Sequence, residues 1–169
     1  MKSLLLLICT VCLLVSGPVS QADAFTGMKI EELTTKAEEG DPIAQTKLGV
    51  AYARGTGVDI DKKKAAELYQ KAADQGLANA QWNLAFAYVR GDGVEEDFAK
   101  ALELFTLAAE QGYAQAEYDL GMMYLQGIGV EPDRTKAIAW IQKSADHGYK
   151  NAHELLDELN GNESEDKNI

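Results

Sequence analysis

Apolar residues recur along this chain at intervals of three and four, the spacing of one face of an α-helix. Behind Asp41 and Pro42 the residues Ala44, Leu48, Ala51 and Tyr52 cluster within about a third of a helix circumference, which predicts a helix A. A second run, Ala65, Leu68, Tyr69 and Ala72, follows Asp61 and stops at Gln75-Gly76, which predicts a helix B. Between them lies Arg54-Gly55-Thr56-Gly57-Val58, a tight turn whose glycines permit positive φ. Asp41 and Asp61 are placed to cap the two helix starts, and Gly76 to end helix B in the left-handed conformation.

The unit then repeats. Gly40, Gly76, Gly112 and Gly148 stand 36 residues apart, and half of the positions in 41–76 are identical in 77–112. A third copy, 113–148, keeps Ala116, Leu120, Gly121, Asp133, Lys136 and Ala137 among others. The turn glycines recur as Gly91, Gly93, Gly127 and Gly129, the helix-ending glycines as Gly112 and Gly148, and Tyr52 as Tyr88 and Tyr124. A period of this length marks an array in which each unit buries its apolar face only against its neighbours. The expected fold is all-α, a short solenoid of antiparallel helix pairs. Half-units close its ends: 25–40 reads as a lone helix B and 149–160 as a lone helix A, giving eight helices. The acidic remainder, 161–169, is expected to be disordered.

These residues resemble a known family. Leu48-Gly49-x2-Tyr52-x2-Gly55-x-Gly57-Val58, the matching run Leu120 to Val130, and the following Asp-x2-Lys-Ala are similar to the Sel-one-like repeat, a relative of the tetratricopeptide repeat. Ala85 replaces one glycine of the pattern in the middle unit. The resemblance covers roughly 40–160 and implies a right-handed superhelix used mainly as an adaptor in protein complexes, often exported and bacterial. One branch of that family, the cysteine-rich exported proteins of Helicobacter, is associated with penicillin-binding or β-lactamase activity. Here both cysteines, Cys9 and Cys12, precede the repeats, so the disulfides of that branch cannot form.

Helix A carries a second face that differs between units. Positions opposite the packing stripe are Thr46, Val50 and Ala53 in the first unit, Trp82, Phe86 and Val89 in the second, and Tyr118, Met122 and Leu125 in the third. Packing positions repeat while these vary, and Trp, Tyr, Phe and Met are enriched in interface anchors. By resemblance, the equivalent positions line a concave groove; the alternative is that the same side chains pack between stacked helices. Asn79, Asn83, Gln115 and Asp119, with Arg54 and Arg90, would form a polar rim.

The chain ends and the charge refine this reading. Lys2, the apolar run Leu4 to Val15 and Ala22-Asp23-Ala24 read as an export signal spanning 1–24, giving a periplasmic or secreted protein, with the bacterial reading favoured by the resemblance. Asn162-Glu163-Ser164 would be a glycosylation site only in a eukaryotic secretory route. A net charge of -11 opposes nucleic acid and anionic lipid and would suit a basic protein partner. No cofactor, nucleic-acid partner or membrane insertion is expected, and the chain is expected to act as a monomer. His147, at the end of the last helix B, is expected to complement the helix dipole. The sequence holds no Ser/His/Asp order, zinc spacing or phosphate-loop consensus. The expected function is therefore a non-enzymatic, protein-binding scaffold. Its alternatives are an immunity protein neutralising a secreted effector and a cell-wall-acting hydrolase.

Overall fold

The computed structural model describes residues 21–165, with side chains described from Ile30 to Leu159. Eight helices and no strand occur among the described residues. They are α1 (Gln21–Glu38), α2 (Pro42–Arg54), α3 (Lys62–Asp74), α4 (Ala78–Arg90), α5 (Phe98–Glu110), α6 (Ala114–Gln126), α7 (Arg134–Asp146) and α8 (Lys150–Glu165). Each helix packs on the next, and α2 also reaches α4, so the A helices of successive units neighbour one another. This is the helical solenoid that the period predicts.

The repeated polar residues build each unit locally. Asp61, Asp97 and Asp133 accept the backbone N–H of Lys64, Lys100 and Lys136 at 2.9, 3.0 and 2.9 Å. Their own N–H groups donate to the carbonyls of Tyr52, Tyr88 and Tyr124 at 3.0, 3.1 and 2.9 Å, closing the turn. The same lysines then lie over the same tyrosine rings, at 4.4, 5.2 and 5.5 Å from the centroids. The hydrogen bonds from these lysine N–H groups hold the Asp97 and Asp133 carboxyls below their ordinary pKa.

Glycine sets how closely the helices approach. A Cβ on Gly49 would lie 2.6 Å from the Tyr69 ring, and one on Gly121 2.6 Å from Ile141, so both let helix B settle onto helix A. Ala85 stands at the corresponding place in the middle unit, fully buried in the cluster around Phe105. Gly93 has φ +78, and a Cβ there would overlap the Lys62 carbonyl. The second turn thus beds against the start of α3, and Gly129 of the third does the same against Phe98 of α5. The core is correspondingly alanine-rich, with Leu48, Leu84 and Leu120 as its recurring large residues.

Two boundaries differ from the sequence reading. α1 begins at Gln21, ahead of the expected capping helix; of the export segment, residues 1–20 lie outside the described residues. α8 continues through Glu165, past the end expected near Asn160, since a single glycine costs a helix only about 1 kcal/mol and glutamates follow it. Residues 166–169 of the expected disordered tail lie outside the described residues. His147, expected at the end of the last helix B, does cap α7, and its imidazole Nδ1 also pairs with Glu117 at 2.8 Å. Helix-end position alone could not reveal this, since Glu117 lies on a different helix.

Candidate functional site

The second face of helix A divides in the structure. Between α2 and α4, over the start of α3, lies an open cleft of about 460 Å³. Val50, Ala53 and Arg54 form its α2 side, and Trp82, Asn83, Phe86, Ala87 and Arg90 its α4 side. Lys62, Ala65 and Tyr69 of α3 and the turn residue Asp92 complete it. Small side chains on one wall and aromatic ones on the other create the space, while Gly49 and Gly93 draw the surrounding backbone together. Burial pushes the Tyr69 phenol up to about 12, so that side chain stays neutral beside the charged Lys62 and Asp92.

The aromatic wall is held from behind. Trp82 meets Phe86 edge-on at 4.9 Å between ring centroids and Tyr113 at 5.9 Å, and Phe86 meets Phe105 at 5.2 Å. The indole N–H of Trp82 donates to an Asp119 carboxylate oxygen at 2.7 Å. Burial raises the Asp119 carboxyl to about 6, against the opposing pull of that hydrogen bond and of Arg90. Both aromatic side chains are half-buried against the core cluster of Phe105 and Leu120 while one side lines the cleft. Groove and core are therefore two sides of the same residues.

Other candidates fall elsewhere. Thr46 is only 3% exposed, and its hydroxyl donates to the Pro42 carbonyl at 2.8 Å, so it presents nothing outward. Val89 is half-buried with Phe86 against the same cluster. Tyr118 packs edge-on with Tyr149 at 5.2 Å, beside Ile141 and Leu156. Met122 and Leu125, also on α6, are half-buried and do not line the cleft. Asn79 accepts hydrogen bonds from Asn83 at 2.7 Å, and Gln115 is half-buried on α6. Asp119, expected on the rim, is instead the link between α4 and α6.

Sequence reasoning missed Lys62, Tyr69 and Asp92. Lys62 and Asp92 form an ion pair at 2.6 Å between the two units. The available signal was an acidic residue between the turn glycines of the second unit alone, where the others carry Thr56 and Ile128. A further lateral bond recurs thirty residues apart: Gln75 donates to Gln45 at 2.9 Å and Gln111 to Gln81 at 2.8 Å, while the third unit places His147 against Glu117. No group of three or more metal-ligating side chains occurs among the described residues, and no helix there is long and apolar enough to cross a membrane.

Comparison with known proteins fits this geometry. The family model of the Sel1 repeat matches residues 42–77, 78–113 and 114–149, one residue later than the units read from glycine spacing. A Sel1 repeat protein from Oxalobacter formigenes has a similar structure, with 34% identity, a TM-score of 0.71, and coverage of 78% of this chain and 54% of that one. A protective antigen of uropathogenic Escherichia coli with an SLR fold gives 35% identity and a TM-score of 0.75, covering 79% of this chain and 28% of its own. The chain thus spans about half of the first and little more than a quarter of the second. Cysteine rich protein B of Helicobacter pylori shares the fold at 17% identity, with a TM-score of 0.64 and coverage of 76% and 96%. No curated protein sequence matches the chain. Three matched units, a helical solenoid and these neighbours lead to one conclusion: the chain belongs to the Sel1 repeat family.

Proposed function

We propose that this protein is an exported, non-enzymatic adaptor that receives a segment of another protein in the cleft between α2 and α4. Sel1 repeat proteins are typically interaction scaffolds, which sets the class. The observation that carries the finer reading is the aromatic wall. Trp82 and Phe86 are fixed from behind by Asp119, Tyr113 and Phe105 yet line an open cleft of about 460 Å³. A large side chain immobilised in advance loses little rotamer freedom when a partner packs on it, and such residues dominate binding energy. Export rests on Lys2 and the apolar run Leu4 to Val15.

The test uses two variants. Ala53→Trp fills the cleft from the α2 side and leaves the residues of the aromatic wall in place, and Trp82→Ala removes the larger part of that wall. Affinity capture from the native exported fraction should yield one dominant protein with the wild-type chain and neither variant should retain it. Thermal melts followed by circular dichroism separate lost binding from lost folding, and the Ala53→Trp variant should melt as the wild type does. Retention of the same partner by a folded Ala53→Trp variant would place binding elsewhere.

A further inference from the structure

A net charge of -11 would by itself direct a basic partner to this protein. The cleft has the opposite sign. Its charged lining is Arg54, Lys62, Arg90 and Asp92, and Asp92 is already engaged by Lys62 at 2.6 Å. Two guanidiniums remain, at the last residues of α2 and α4, in the same position of successive units. Among the described residues neither makes an ion pair; Arg90 lies over the Phe86 ring at 5.1 Å from its centroid. The Asp119 carboxyl, which feels the pull of Arg90, accepts the indole N–H of Trp82 at 2.7 Å and forms no ion pair with that guanidinium among the described residues. In the third unit the corresponding residue is Gln126, so the arginine pair is confined to this cleft.

We propose that the segment seated here is acidic, a stretch in which one aliphatic or aromatic side chain enters beside Phe86 while flanking Asp or Glu carboxylates bond Arg54 and Arg90. This deepens the adaptor reading and rests on it. A guanidinium presents paired N–H donors that match a carboxylate, and such bonds are about twice as strong as neutral ones. A lysine-bearing segment would bring like charges against both arginines at a partly desolvated site. The acidic outer surface adds selectivity, because it repels acidic chains that lack the apolar anchor needed to hold them in the cleft.

The probe is a matched series of short synthetic peptides with a central Phe or Leu, flanked by Asp and Glu, by Asn and Gln, or by Lys and Arg. Binding to the whole protein is read by fluorescence anisotropy at fixed ionic strength. The acidic series should bind best, and Arg54→Gln and Arg90→Gln should each weaken it about tenfold while sparing the neutral series. Both arginines are exposed, so these variants keep the fold. Ala53→Trp should abolish every series. Stronger binding of the Lys and Arg series, or acidic binding indifferent to both arginine variants, overturns the acidic proposal. If Ala53→Trp still blocks those peptides, the cleft reading survives; binding indifferent to Ala53→Trp removes both, and the absence of binding in all series overturns the acidic proposal.

Discussion

The first and second units meet across an open cleft, whereas the second and third are joined by a hydrogen bond between their A helices. On the first side, Val50 and Ala53 leave room in front of Trp82 and Phe86. On the second, Asp119 of α6 takes the indole N–H of Trp82, and Tyr113 packs edge-on against the same ring. The scaffold residues hardly differ between the two places; the helix A substituents do. Side-chain volume at a few positions therefore decides where this array opens, on a backbone that the repeat fixes everywhere else.

The backbone part of that contrast should give the largest effects. Gly93→Ala forces an L residue to φ +78 and drives its Cβ into the Lys62 carbonyl, in the turn whose Asp92 meets Lys62. We expect a loss of about 3–5 kcal/mol in urea unfolding. At the other junction Gly129→Ala meets Phe98 less closely and should cost somewhat less. Gly76→Ala shares the positive φ but finds nothing within 4 Å, so about 1 kcal/mol is expected. Equal losses at Gly93 and Gly76 would show that conformation, not docking of the turn, sets the cost.

The bond joining units two and three should make itself visible through pH. Because burial lifts the Asp119 carboxyl from 3.8 to about 6 in the folded chain, the folded state holds a proton that the unfolded state has released. Its contribution is then fully present below about pH 4 and is lost as pH rises through 6, by up to about 3 kcal/mol. Asp119→Asn keeps an oxygen acceptor for Trp82 and carries no charge. Denaturant melts of this variant should lack that part of the wild-type decline and show equal or greater stability at neutral pH.

Within units the contrast lies in one lateral bond, an amide pair in the first two and Glu117 with His147 in the third. The Glu117 side chain is only 2% exposed while that of His147 is half exposed. His147→Ala leaves the Glu117 side chain without that partner and should cost about 1–3 kcal/mol in thermal or urea melts. The double variant Glu117→Gln with His147→Gln copies the other units and should lie within about 1 kcal/mol of the wild type, a coupling that a double-mutant cycle resolves.

What the sequence discloses follows from how local the cause is. The helix pairs, the Asp caps and the positive-φ glycines were readable because each depends on residues within a few positions, and three copies confirm the pattern. The Gln45–Gln75 bond joins two helices, yet a signal existed: positions 45, 81 and 117 change from glutamine to glutamate in the same unit in which 75, 111 and 147 change from glutamine to histidine. Thr46 looked outward by angle alone, but serine and threonine can satisfy their hydroxyl on the preceding turn, which lets such a residue be buried. The division of one helical face into cleft and packed core was not legible, since it depends on what the next unit places opposite.

That dependence can be tested by moving residues between units. Val50→Phe with Ala53→Val writes the second unit's face, Phe86 and Val89, onto the first. If side-chain volume alone keeps the cleft open, the added atoms fill space in front of Trp82. Added packing offsets some side-chain ordering, so stability should move by no more than about 1 kcal/mol in either direction. Peptide binding should nevertheless disappear, with Arg54 and Arg90 untouched. A variant that folds normally and still binds would mean that the arginines, rather than the apolar walls, hold the partner.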